Sequence, residues 1–489
     1  MNGIVVQILT AFLLAVPTLM VGVGNTWPSY TLKTLEREDS PLGHQITKSD
    51  GNLIASISML GSLSVILFVG YILDKIGRKK TEILSGLAFA LAWSVITVGK
   101  SVTQILIGRF VLGIGAGLHF AASVVYISEM SQPSIRGPLI SINSFAYNIG
   151  TLLSYTEGWF CSYEVINYLN LTVAVGFVLL VLCIKETPVF LLRNGKDKEA
   201  LSSLKFYRGK NTATQDILDE LHYIRSQLNN ENAIDSPETH ELSEKEKLKE
   251  NEIAQENITK QKGVWETLRT SRASRRALTL LVVQVLLSIC MGMLAVQAFA
   301  GQFFSQAAPS LSPDLCSVIL AIVMALSCGM CVLITNLIPR RVLMISTCIL
   351  SALCMTCAAT MLRWAWAPEW GIPLSMLFFC MFYHFGLVNL PFVQISECIL
   401  PQINSFVTSM IMSSMMLGNF VLLFLFKPAV DVLGLDGVFF LFAAIGFVAA
   451  LVSTLFMRET RNVPFEVVQI SFERSCFYRG YKYVNPIEH

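Results

Sequence analysis

Long stretches without charge constrain this chain more than any other feature. Apolar runs fall at roughly 3–27, 51–73, 82–99, 102–128, 137–157, 164–184, 276–300, 314–335, 342–362, 372–397, 405–427 and 437–457, and charge gathers between them. A helix needs roughly 20 apolar residues to cross a bilayer. At that length only a helix satisfies every backbone donor and acceptor in lipid. A soluble domain carries about 25% charged residues. Here 14% are charged and 53% are hydrophobic. The reading is an all-α membrane protein of twelve transmembrane helices. The first run opens on Met1-Asn2-Gly3, lacks a basic leader and reaches Trp27. That is too long for the apolar core of a secretory signal, so it counts as the first span. A net charge of +2 implies no nucleic-acid partner.

Orientation follows from basic residues in the short loops. Lys75, Arg78, Lys79 and Lys80 follow span 2, Arg136 follows span 4, and Arg275 and Arg276 precede span 7. Arg340 and Arg341 follow span 8, and Arg458 and Arg461 follow span 12. In the loop after span 1, Lys33, Arg37 and Lys48 are offset by Glu36, Glu38, Asp39 and Asp50. Both termini are therefore expected in the cytosol. The stretch 185–275 differs in kind, with alternating charge from Glu241 to Glu250. It reads as a cytosolic connector, partly helical and partly disordered. The expected division is a six-helix bundle over 1–184, this connector, a second bundle over 276–457 and a cytosolic tail over 458–489.

The two halves repeat one another. Asp74 precedes Arg78 by four residues, as Asn336 precedes Arg340. Glu129 has Arg136-Gly137 seven residues on, and Glu397 has Asn404-Ser405 at that offset. Lys185-Glu186-Thr187 closes the first half and Arg458-Glu459-Thr460 the second. Repeated halves of this kind place a solute site near mid-membrane at their interface.

The sharpest motif is Gly70-x-x-x-Asp74-x-x-Gly77-Arg78-Lys79-Lys80. Gly108-Arg109-Phe110 follows with Gly113, Gly115 and Gly117, then Tyr126-x-Ser128-Glu129 and Arg136-Gly137. After span 6 stands Glu186-Thr187-Pro188-x-Phe190-Leu191-Leu192. Together these resemble the sugar-porter family of the major facilitator superfamily. Trp27-Pro28-Ser29 is most similar to its facilitated trehalose transporter branch. The resemblance covers the whole chain, specific in the first half and loose in the second. It implies the major facilitator fold and a facilitative carrier with alternating access, moving a hexose or trehalose across the plasma membrane. It implies no cofactor, and no protein partner is assigned. The bilayer itself is the other partner. No enzyme is read, because no nucleophile–base pair, phosphate loop or metal cluster stands out. A non-transporting sensor, or a carrier of another small polar solute, remains the alternative. The tail aromatics Phe477, Tyr478, Tyr481 and Tyr483 would suit a sensor's docking, or simply a solvated end.

Charges recurring at fixed offsets suggest a gate made of Asp74, Arg78, Glu129, Arg136, Glu186, Arg340, Arg341, Glu397 and Glu459. The plainer reading is that they mark topology. In the second half Asn336 stands for an acid, Pro339 for a glycine and Asn404 for an arginine, so a weaker gate is expected there. The span 4 glycines read as packing surfaces. Arg109 needs a partner inside the membrane. Proton-coupled relatives carry a carboxylate on span 1, where this chain has Gly24-Asn25-Thr26. That argues for uniport.

The family's sugar site uses polar side chains on spans 5, 7, 10 and 11, and this chain departs from most of them. The remaining candidates are Asn143, Ser144, Asn148, Gln284, Ser288, Gln297, Asn389 and Asn419. Each would offer hydrogen bonds to hydroxyls, and each would equally serve between helices. His119 and His384 read as packed or as proton relays. Cys328-x-x-Cys331 and Cys354-x-x-Cys357 read as packing residues. Cys161 and Cys316 could face the same outer side. The sequons at Asn170 and Asn257 fall in a span and in the connector, so neither is expected to be glycosylated.

Overall fold

The computed structural model describes residues 3–210, 212–235, 271–388, 390–399, 401–461, 463 and 465–473. Among them every regular element is a helix. The first half runs α1 (Gly3–Thr26), α2 (Pro28–Leu35), α3 (Lys48–Ile66), α4 (Val69–Ile76), α5 (Arg78–Val98), α6 (Val102–Met130), α7 (Arg136–Phe160) and α8 (Tyr163–Val181). The connector contributes α9 (Pro188–Arg193), α10 (Asp197–Arg208) and α11 (Gln215–Asp235). The second half has α12 (Arg272–Cys290), α13 (Met293–Ala307), α14 (Pro313–Leu337), α15 (Arg340–Trp364), α16 (Gly371–Phe385), α17 (Leu390–Cys398) and α18 (Pro401–Phe456). The tail adds α19 (Phe465–Glu473), whose Phe472 carbonyl accepts from Arg276 at 3.0 Å.

Among the described residues, nine segments are long and apolar enough to cross a membrane. The tenth span is the pair α3 and α4, bent by 56°. The eleventh emerges because α18 breaks at Gly434 (φ +75, ψ 165), so its 56 residues are two spans joined without a loop. The twelfth is α7. Its 25 residues reach about 37 Å at 1.5 Å each, and it carries Arg136, Asn143, Asn148 and Glu157 along that length. Span 7 is also interrupted, because Gly292 (φ +86) separates α12 from α13. Continuous spans were expected at 51–73 and 276–300, and a loop between 427 and 437. An apolar run records hydrophobic length, and a bend leaves that length unchanged.

Whole faces of these helices leave large apolar side chains uncovered, such as Leu9, Phe12, Leu91, Leu179 and Leu451. On a soluble protein such area would be a liability; in lipid it is the solvated surface. The inward faces pack closely. A Cβ on Gly61 would lie 2.1 Å from the Phe110 carbonyl oxygen, and one on Gly113 would lie 1.9 Å from that of Ser58. Backbone therefore meets backbone where α3 crosses α6, which accounts for the glycines of span 4 as packing surface.

Internal contacts divide the chain into two units. One comprises Met1–Lys262 with Leu294–Cys328 and Met416–Val432, and the other Gly263–Met293, Gly329–Met415 and Leu433–His489. The division runs through the middle of α14 and α18. Within the first unit the connector is seated on helix ends. Gln7 on α1 donates to the Tyr207 carbonyl at 3.0 Å and accepts from the Gln132 N–H at 2.9 Å. Arg208 donates to the Met130 carbonyl at 3.0 Å and pairs with Glu220.

Candidate functional site

The first functional constellation is built around the start of α5. Gly77 holds φ +99, and a Cβ there would lie 2.4 Å from a Glu186 carboxylate oxygen. A side chain is thus excluded twice, by backbone angle and by the approach of Glu186. The approach lets Glu186 accept the Lys79 N–H at 3.0 Å and the Thr187 N–H at 2.9 Å. The first N–H groups of a helix lack intrahelical partners and favour an anion. Glu186 arrives from 107 residues away to supply it. Burial raises its carboxyl above the ordinary value, against the pull of those N–H groups and of Arg78. Arg78 pairs with Glu129 at 2.8 Å and with the exposed Asp74 at 3.3 Å. Thr187 donates its hydroxyl to the other oxygen of Glu129. Arg193 approaches Asp74 at 3.8 Å. Arg136 opens α7, is exposed, and pairs with no carboxylate among the described residues.

The second unit repeats the core of this arrangement, without a counterpart to the Asp74 pairs among the described residues. Glu459 accepts the N–H groups of Arg340 at 3.0 Å and Arg341 at 3.1 Å, at the start of α15. Thr460 donates its N–H to Glu459 at 3.2 Å and its hydroxyl to Glu397 at 2.5 Å. Arg340 lies 3.7 Å from Glu397. A base from another span thus meets Glu397, which has none beside it in sequence. Pro339, with φ −55, occupies the turn that Gly77 makes in the first unit. Sequence reasoning missed Thr187 and Thr460 as the bridges, although the repeated Glu-Thr pair was the available signal.

Arg109 is 1% exposed and pairs with no carboxylate among the described residues. Its Nε donates to the Ile54 carbonyl at 3.0 Å, and its terminal nitrogens donate to the carbonyls of Gly24 and Ala55 and to Ser58. Its guanidinium also lies 5.7 Å from the centre of the Trp27 ring. Backbone dipoles and an aromatic face thus surround this buried cation. Sequence reasoning missed a second buried ionisable group. Glu82 on α5 is fully buried and bonds His119 at 2.9 Å, and the other ring nitrogen of His119 bonds Thr18 at 2.7 Å. This spans α1, α5 and α6. His384 bonds the carbonyl of Cys380 on its own helix at 2.8 Å.

The candidate solute contacts divide between the two units. In the first, Asn143 donates to Ser123 at 3.1 Å, and Asn148 donates to the Ser144 carbonyl at 2.9 Å. The Ser144 side chain is exposed, and Asn419 is buried on α18. Gln297 accepts from the Tyr147 hydroxyl at 3.1 Å, and Tyr147 accepts from Asn25 at 3.3 Å. Tyr155 donates to the Gln297 carbonyl at 2.8 Å. Asn25, Tyr147 and Tyr155 were not among the candidates, and nothing in their spacing signals them. In the second unit Gln284 reaches Ser453 at 3.5 Å. Ser288 bonds back to the Gln284 carbonyl at 2.8 Å, while Tyr383 donates to the Ser288 carbonyl at 3.0 Å. Asn389 lies outside the described residues, as does Asn257. The amide oxygens of Asn143, Asn148 and Gln284 are buried with no donor. Cys161 and Cys316 are both free thiols. Among the described residues no group of His, Cys, Asp and Glu is arranged to hold a metal.

The sequence model of the family described as "Sugar (and other) transporter" matches residues 20–472. A facilitated trehalose transporter of Apis mellifera ligustica is 24% identical over 480 residues, covering 95% of this chain and 88% of its own length. A facilitated trehalose transporter homologue of Drosophila sechellia is 23% identical over 479 residues, covering 95% and 90%. Among solved structures, the inward-open xylose transporter XylE of E. coli superposes with a TM-score of 0.74 at 17% identity, over 95% of this chain and 99% of that one. The same transporter bound to 6-bromo-6-deoxy-D-glucose gives 0.68 at 19%, with the same coverage.

Proposed function

Since the chain belongs to the sugar (and other) transporter family, we propose that it is a facilitative carrier of a small sugar, a hexose or trehalose, in the plasma membrane. Both termini and the connector face the cytosol in this reading, as the basic loops require. The two bundles, over 1–184 and 276–457, move as bodies as access alternates. Asn143, Ser144, Asn148, Gln284, Ser288, Gln297, Asn389 and Asn419 are the solute contacts.

One observation carries the substrate class. The side-chain oxygens of Asn143, Asn148 and Gln284 are buried acceptors without donors. Each such group costs about 1–3 kcal/mol, and native structures retain few of them. A polyhydroxyl solute supplies the missing donors. The charge clusters support the mechanism. Each ties helix ends inside its own unit, so a bundle keeps its shape while access alternates. Arg109 supports uniport, because its partners are carbonyls and a serine hydroxyl, none of which takes up a proton.

Uptake of labelled glucose and trehalose into cells expressing the protein tests this reading, with a pH gradient imposed and then collapsed. Saturable uptake that ignores the gradient is expected. Uptake that follows the gradient overturns uniport. No uptake of either sugar, with the protein at the surface, overturns the substrate class.

A further inference from the structure

The charge clusters described so far lie at the connector end of the helices. A different set lies at the opposite end, beyond the last turn of α1. Lys427 on α18 bonds Glu36 at 2.7 Å, and Asp431 bonds Lys48 at 3.2 Å. The partners are separated by 391 and 383 residues. Lys427 and Asp431 stand one helical turn apart, on one face of α18. Glu36 caps the C-terminus of α2, and Lys48 is the first residue of α3. One short segment of the first half therefore grips one face of a second-half helix with both signs of charge.

The two pairs differ in weight. Side chains of Lys48 and Asp431 are 76% and 55% exposed, and a pair so wet is worth roughly 0.2–1 kcal/mol. Those of Lys427 and Glu36 are 14% and 33% exposed, so water screens them less. The Lys427 ammonium also lies 5.7 Å from the centre of the buried Phe299 ring, which stacks on Phe426 at 5.0 Å. Gly51 leaves it room, since a Cβ there would sit 3.2 Å from the Lys427 nitrogen. Nearby, the Gly301 N–H of α13 donates to Ser29 at 2.9 Å.

The opposite polarity of the pairs decides register. Sliding α18 by one turn would set Asp431 against Glu36, or Lys427 against Lys48. Either shift places like charges together, so only one seating of α18 is favourable. We propose that Glu36–Lys427 and Lys48–Asp431 form a latch that shuts the end remote from the connector and parts whenever the carrier opens there. Glu36–Lys427 supplies the strength and Lys48–Asp431 the alignment. The latch rests on the carrier reading above, since only a molecule that opens at this end needs to release it.

Gln297→Cys, two residues before Phe299 on α13, serves as a reporter. A membrane-impermeant maleimide is applied to intact cells or to inverted vesicles, and the same chain without the reporter is the blank. Charge reversal in Glu36→Lys or Lys427→Glu should raise labelling from the remote side ~10-fold, an equilibrium shift of 1.4 kcal/mol. Labelling from the connector side should fall together with it. A merely loosened fold would raise both. The exchanged pair Glu36→Lys with Lys427→Glu should return both rates to the starting values. Lys48→Glu should give a smaller rise in the same direction. Unchanged labelling in the single reversals, or no recovery in the exchanged pair, overturns the latch. Sugar uptake by the unaltered chain is measured alongside. If uptake is absent while labelling behaves as stated, the substrate reading fails and the latch stands.

Discussion

At the scale of single residues, charge inside the membrane is matched by geometry. Arg109 spreads its donors over the carbonyls of Gly24, Ile54 and Ala55 and the Ser58 hydroxyl. Its planar fork reaches several acceptors at once, and a lysine ammonium has fewer donors and none of that fixed geometry. Arg109→Lys should therefore leave carbonyls unpaired and destabilise the protein by about 1–3 kcal/mol. Thermal denaturation of the purified protein in detergent measures this, and an unchanged midpoint would show that the fork is dispensable. The motif made Arg109 legible as a buried charge, but not its partners. Carbonyl acceptors belong to every residue, so only their position selects them. Glu82 escaped for a related reason. It lies one turn into α5 beside Arg78, Lys79 and Lys80, where a carboxylate reads as part of a wet helix end, yet it is fully buried against His119.

At the scale of elements, helix starts are capped from a distance. Glu186 serves the start of α5, and Glu459 that of α15. The pH dependence of the Glu186 cap has a definite sign. Burial raises its carboxyl above the ordinary value, so the folded chain holds that proton more tightly than the unfolded chain. Stability then falls as pH rises from the ordinary carboxyl range through the raised value, and is level above it. Glu186→Gln removes this slope. The midpoint of the variant, relative to wild type, should climb across that window and then run parallel. Denaturation curves that stay parallel throughout would show that the N–H groups of Lys79 and Thr187 fully offset the burial. The repeated Glu-Thr pair signalled a cap in the sequence. Which helix each carboxylate caps is set by how the chain returns, through α8 in one unit and α18 in the other.

At the scale of the whole molecule, the two halves keep one design with unequal strength. Arg78 and Glu129 meet at 2.8 Å with side chains 5% and 12% exposed. Arg340 and Glu397 approach to 3.7 Å with 13% and 27% exposed. Losing Arg78 strands a buried carboxylate, which costs about 3 kcal/mol. Losing Arg340 leaves Glu397 wetter and still bonded to Thr460, at a cost of about 1 kcal/mol. Arg78→Gln should accordingly reduce the sugar uptake rate more than Arg340→Gln, at matched surface abundance. Equal losses would mean that the two clusters carry the same load.

The number of spans, their order, the repeat and the charged helix ends were determined by sequence alone. They follow from local quantities: apolar length, basic loops and motif spacing. The break at Gly434, the bend between α3 and α4, the carbonyl cage around Arg109 and the Glu82–His119 pair were decided only by tertiary structure. So was the Tyr147–Gln297 bond, which ties α7 to α13. Each depends on which faces of distant helices meet. In a chain solvated by lipid that choice is made by close backbone approach and by hydrogen bonds between spans, and hydropathy is blind to both.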